Sequence, residues 1–175
     1  MAVRPILIYP HPALRKVSAP IADPTAPDVR RLADDLAETM YDAPGVGLAA
    51  PQIGVHRRIV VTDIAWREEG AERDLHVWIN PEILWRSSEE RPFEEGCLSI
   101  PDTFVEVLRP AAVAVRWQDL QGATHEAEYD GMMATALQHE FDHLDGRLFI
   151  DLIKPVKQKL LKRRLKKRAQ REGRH

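Results

Sequence analysis

With one cysteine, Cys97, the chain can form no internal disulfide, and its stability must come from a packed core. No apolar run approaches the roughly 20 residues of a membrane-spanning helix. The opening "MAVRPILIYPHPALRK" lacks the apolar core and small-residue cleavage site of a secretory signal, and it is not Ser/Arg-rich like a transit peptide. The cytoplasm is the expected compartment. Internal repeats and low-complexity linkers are also missing, and 175 residues are enough for one domain with a real core but too few for two comfortable ones.

The net charge of −2 conceals a strong asymmetry. From Lys154 to His175 there are 11 Lys/Arg and a single acid, Glu172. The remainder of the chain is correspondingly acidic. A body at 1–153 with a basic helix and tail at 154–175 is the expected division, and the tail should meet something anionic.

Hydrophobic periodicity predicts a helix over Asp28–Ala43, with Val29, Leu32, Leu36 and Met40 on one face and Pro44-Gly45 ending it. Strands are expected over Arg57–Ile64 and His76–Arg86, the second interrupted at Pro81, and a hairpin between Ala112 and Tyr129. Helix returns at "MMATALQHEFDHLDG", with Gly146 as its cap. A last helix begins near Lys154 on a narrow stripe of Val156, Leu160, Leu161 and Leu165, and its end should project into solvent or fray. Strands without crossover helices, flanked by helices, imply an α+β fold with mainly antiparallel sheet around the "QHEFDH" helix.

That helix carries the chemistry. His139 and His143 lie four residues apart, so both imidazoles leave one face and can converge on one metal ion. Glu140 follows the first of them and is placed to act as general base on a water. Met132, Met133, Leu137, Phe141 and Leu144 make the helix apolar on more than one side, which argues against two merely exposed histidines. A catalytic site of this kind needs a third ligand. His175 and Glu172 lie in the remote basic tail; Cys97, in "EEGCLSIPD", is either that ligand or a small core thiol.

The stretch "APGVGLAAPQIG", Ala43 to Gly54, has glycines that permit close backbone approach to a ligand. The Lys-Ser/Thr of a phosphate loop is absent and no strand precedes it, so phosphate is disfavoured. Gln52 offers an amide that donates to a developing oxyanion or caps the loop.

"GVGLAAPQ" (Gly45–Gln52), "EGCLS" (Glu95–Ser99) and "QHEFDHLDG" (Gln138–Gly146) together resemble, in order and spacing, the three signature motifs of the peptide deformylase family, in its bacterial type I branch. The likeness runs from "ILIYPHPALRKVS" through "RLFIDLI" to the tail. The resemblance implies that Cys97, His139 and His143 hold a divalent metal, generally Fe(II) in the cell, with Zn(II), Ni(II) or Co(II) able to replace it. It implies that Glu140 is the acid/base and that Gln52 and the N–H of Leu98 stabilise the oxyanion. Gly47 and its neighbours would hold the peptide as an added strand, while Val46, Phe93, Met132 and Ala136, with the body of His139, line the methionine pocket. The implied reaction removes the formyl group from N-formylmethionyl nascent chains. The implied partner of the tail is the ribosome near its exit tunnel, with no membrane and no sequence-specific DNA. Arg109 and Asp142 are expected either to pair behind the metal site or to form a surface ion pair. Two other readings remain: another metal-dependent amidase or peptidase, which would not explain "EGCLS", and a non-catalytic module with a structural metal, which leaves Glu140 and Gln52 without roles.

Overall fold

The structure, a computed structural model, describes residues 2–173; Met1 and, in the basic tail, Arg174 and His175 lie outside the described residues. In chain order the main elements are α1 (Pro27–Asp42), β1 (Gly47–Ala49), β2 (Ile59–Thr62), β3 (His76–Arg86), β4 (Glu90–Cys97), β5 (Ile100–Pro110), β6 (Ala112–Gln118), β7 (Thr124–Asp130), α2 (Gly131–Leu144) and α3 (Pro155–Arg171). The fold is α+β. Strands β1-β2-β3-β6-β7, in that order, form one antiparallel sheet, and β4-β5 form a separate two-stranded antiparallel one.

The first helix starts one residue earlier than its periodicity predicts. Pro27 occupies the first turn, where a missing N–H costs nothing and the fixed φ favours the helix. Val29, Leu32, Leu36 and Met40 are all buried, as expected, against Leu48, Ile59 and Val61 of the sheet. Strand β3 does not stop at Pro81. It runs on through a register shift between Ile79 and Glu82, so the ladder bulges where proline has no N–H to give. Asn80 adopts φ 48° at the bulge, a conformation asparagine tolerates, and its side chain bonds both backbone groups of Ile21.

Helix α2 crosses the middle of the molecule. Its residues Ala134, Leu137, Phe141 and Leu144 pack on Trp78, Val113 and Val115 of the sheet, while His139, Glu140 and His143 are buried on another side. Gly146 closes the helix as expected. It takes φ 72° and donates to His143 O, while Arg147 N donates to Asp142 O, a left-handed cap that satisfies two terminal carbonyls. A side chain there would also collide with the carbonyl of Arg15, which makes glycine doubly required.

The β4-β5 hairpin was not anticipated, because "ERPFEEGC" is charged, broken by proline and glycine, and exposed along most of its length. The C-terminal helix needs two corrections. Leu161 and Leu165 are buried as expected, but Val156 and Leu160 are 74% and 60% exposed, because they fall off the one face that meets the body. Its end does not fray within the described residues: Ala169 is buried and Arg168 donates to Pro101 O at 2.7 Å. Asp151 pins the start, accepting from Arg15 and Lys162. Burial alone would raise its carboxyl, yet those cations and the Leu148 N–H hold it down at about 2.

Candidate active site

Two elements face each other at the centre of the site. The β4-β5 hairpin turns at Leu98-Ser99 and presents Cys97; α2 presents His139 and His143 one turn apart. The ligand atoms of these three residues lie within 4.8 Å of one another, with Cys97 Sγ 3.4 Å from His143 Nε2. The thiol is thus a member of the histidine cluster, although its residue also packs against the Leu148–Ile150 core.

His139 is oriented from behind. Its Nδ1 donates to Glu95 Oε1 at 2.9 Å, which leaves Nε2 for the cluster. Glu95 in turn accepts two bonds from Arg109, at 2.7 and 3.0 Å, and the third guanidinium nitrogen reaches Asp142 at 2.9 Å. Arg109 and Glu95 are both 5% exposed, so the pair foreseen for Arg109 and Asp142 is a buried network and not a surface one. Burial works against the Glu95 carboxylate, but the bonds from His139 and Arg109 outweigh it and hold its pKa below the usual value. Sequence reasoning gave Glu95 no role. The available signal was an acid two residues from a ligand.

Two buried polar atoms in this cluster have no hydrogen-bond partner among the described residues, Glu140 Oε1 and His143 Nδ1. Burial pushes the Glu140 carboxyl up to about 7. The imidazoles are driven apart. Burial would depress His139, but Glu140, Cys97 and Glu95 beside it hold its pKa well above the usual range; burial and the His139 charge push His143 well below it. A thiol and two imidazoles converging in a buried site suit a divalent ion of borderline softness, which takes the thiol as thiolate and both rings as neutral donors.

Gln52 is fully built into the site. Its Oε1 accepts from Ala49 N, which fixes the amide so that Nε2 reaches Ser99 Oγ at 3.1 Å and Cys97 Sγ at 3.5 Å. Gly47 lies directly over the Glu140 carboxylate: a Cβ there would sit 2.5 Å from Glu140 Oε2. Gly45 is similarly tight against Leu98, whose Cδ1 would be 2.7 Å away. Phe93 and Met132 are not core residues. They are 39% and 47% exposed and border a cavity of about 120 Å³ that Thr135, unremarked in the sequence, also lines. Val46 and Ala136 are half-buried and do not line that cavity.

A helix that brings two imidazoles and a carboxylate to a thiol on a facing hairpin is built to activate water, and on that ground the chain is a metal-dependent hydrolase. Residues 3–159 match the family model described as polypeptide deformylase. A curated peptide deformylase of Rhizobium meliloti (strain 1021) is 52% identical over 99% of this chain and 98% of its own length. Crystal structures of peptide deformylases from Legionella pneumophila and Ehrlichia chaffeensis superpose with TM-scores of 0.86 and 0.88 at 40% and 32% identity, covering 99% and 98% of this chain and 99% of each of theirs. The chain belongs to the polypeptide deformylase family. It is an enzyme that removes the formyl group from N-formylmethionyl peptides and depends on a metal to do so.

Proposed function

We propose that Cys97, His139 and His143 are the metal ligands and that Glu140, Gln52 and the backbone N–H of Leu98 perform the deformylation beside them. The observation that carries this reading is the convergence of the three ligand atoms within 4.8 Å, next to a buried Glu140 oxygen that has no hydrogen-bond partner among the described residues. When bound, the ion supplies Lewis acidity, which lowers the pKa of a water and polarises the formyl oxygen. Glu140 accepts a proton from the attacking water and delivers it to the departing amine nitrogen. The Gln52 amide, locked with its nitrogen toward Cys97, donates with Leu98 N–H to the formyl oxygen as it gains charge. Water oxygen bonds to the formyl carbon, the carbon–nitrogen bond breaks, and formate and a free N-terminus leave.

The backbone of Gly47 and its neighbour Val46 holds the peptide as an added strand, and the side chains of Val46, Phe93, Met132 and Ala136 form the apolar surroundings of the methionine side chain. We assign Fe(II) as the ion in the cell, with Zn(II), Ni(II) and Co(II) suited to the same donors, and the cytoplasm as the compartment. Among the described residues no helix is long and apolar enough to cross a membrane. Cys97→Ser tests the ligand set, because it replaces a soft thiolate by a hard hydroxyl. Metal content and formate release from a formyl-Met tripeptide, measured on one sample, should both fall. A variant with unchanged values for both removes Cys97 from the site.

The division into a catalytic body and a basic element at 154–175 carries a second proposal, that the element binds ribosomal RNA near the exit tunnel. Lys159, Arg163, Lys166 and Lys167 share a solvent-facing side of α3, away from buried Leu161, Leu165 and Ala169. Because truncation within α3 would also open the core, the test is charge reversal of those four residues. Co-sedimentation with ribosomes at low salt should be lost, with wild-type binding falling steeply as salt rises, and hydrolysis of a short formyl peptide should stay within about twofold. Unchanged co-sedimentation returns the tail to a solubilising role.

A further inference from the structure

The loop between β2 and β3, residues 63–75, is tied to the back of the peptide-binding segment by contacts the mechanism does not use. Asp63 N donates to Val46 O at 2.9 Å, and Trp66 Nε1 donates to Gly45 O at 2.9 Å. Consecutive carbonyls of the "GVG" turn are therefore both held from the loop side. The loop is itself latched. Tyr41 OH and Asp74 N both donate to Asp63 Oδ2, at 2.6 and 2.8 Å. The Tyr41 and Trp66 rings meet edge to face at 5.0 Å, and the Arg73 guanidinium lies 3.9 Å over the Tyr41 ring. Asp63 is 1% exposed, so the latch is anchored in the fold while Trp66 reaches out from a largely exposed loop.

The consequence follows from the planarity of the peptide bond. In a trans amide the C=O of Gly45 and the N–H of Val46 point in opposite directions. With that carbonyl fixed on Trp66, the Val46 N–H must point away from the loop, and among the described residues it donates to nothing. On the other side of this turn stand Leu98, packed on Gly45, and Glu140, packed on Gly47. From this geometry we infer that Trp66 is a positioning residue for substrate: through the Gly45 carbonyl it aims the Val46 N–H at the backbone of the bound peptide. The inference rests on the reading that Val46 and Gly47 take the peptide as an added strand. Tyr41, Asp63 and Arg73 hold Trp66 in place and touch neither substrate nor metal ligands.

Trp66→Phe removes the N–H donor and keeps a ring against Tyr41 and Arg73. The test compares the metal-loaded variant and wild type on two substrates, a formyl-Met tripeptide and N-formyl-3-(methylthio)propylamine, which has the formyl group and the methionine side chain but no peptide backbone. The expected result is a loss of about fivefold in kcat/KM for the tripeptide, carried by KM, the size of one orienting hydrogen bond. The backbone-less formamide, the metal content and the melting temperature should be unchanged. An equal loss on both substrates, or none on the tripeptide, overturns the role. Tyr41→Phe, which loosens the latch without touching Trp66, should shift the same KM in the same direction by less. Wild-type enzyme that processes the two substrates equally well overturns the added-strand reading itself, and is seen before any variant is made.

Discussion

Glu140→Gln should lower formate release by about 10²- to 10⁴-fold and leave the bound metal in place. Glutamine is nearly the same size, so the packing of Gly47 over the carboxyl group survives. What is lost is the capacity to take a proton. The residue is 5% exposed, so bulk water has little access to substitute for it as a base. Metal analysis and single-turnover formate release on the same preparation check both halves. Near-normal turnover would remove Glu140 from the reaction. Loss of the metal would make it a structural neighbour of the ligands.

Arg109→Met should destabilise the fold by about 3–5 kcal/mol at neutral pH, the cost of leaving buried charges without their partner. Glu95 and Asp142 would both lose the guanidinium, at 4% and 18% side-chain exposure. Metal affinity should fall as well, by about 10- to 100-fold, since Glu95 would no longer be held in register behind His139. The pH dependence has a definite sign. Glu95 has a depressed pKa in the fold, so its contribution is present above the unfolded value of about 4.3 and is lost as pH falls through the lower folded value. Wild type and variant should therefore converge in acid. Urea unfolding of the two at pH 7 and in acid checks this, and a difference under about 1 kcal/mol at pH 7 would show that the network is a weak one.

The parts of this fold that were legible in the sequence are those set by local pattern. The buried face of α1, the β6-β7 hairpin, the "QHEFDH" helix and its glycine cap all follow from spacing that the backbone geometry imposes. The histidine pair was legible for the same reason. Cys97 was not, since nothing local distinguishes a ligating thiol from a core one; the family resemblance implies the first, and the structure sets the thiol beside both histidines. The hairpin was itself hidden, because β4 is exposed along most of its length and carries no apolar alternation, although β5 alternates buried and exposed positions. Glu95 and Ser99 went unassigned because each makes its contact, with His139 and Gln52, across a distance in sequence. Val156 and Leu160 were misplaced on the core face because a helix alternating lysine and leucine leaves the direction of the body undefined until Tyr9, Leu14 and Phe149 are seen to supply it.

The distribution of the three proposed ligands over the chain also has a consequence for how the enzyme comes into being. His139 and His143 sit one helical turn apart and meet as soon as α2 forms, but Cys97 lies 46 residues upstream of His143 and must be brought back by closure of a long loop. Helices close in microseconds or less, whereas non-local contacts wait for the chain to fold over them. On a growing chain the thiol emerges first and alone, without the buried neighbours that later enclose it. Leu161 and Leu165, of the buried cluster against which Cys97 packs, follow α2 in the chain and are made later still. The site is therefore incomplete until α2 has been made and has folded back on the hairpin, and during that interval the thiol is open to oxidation.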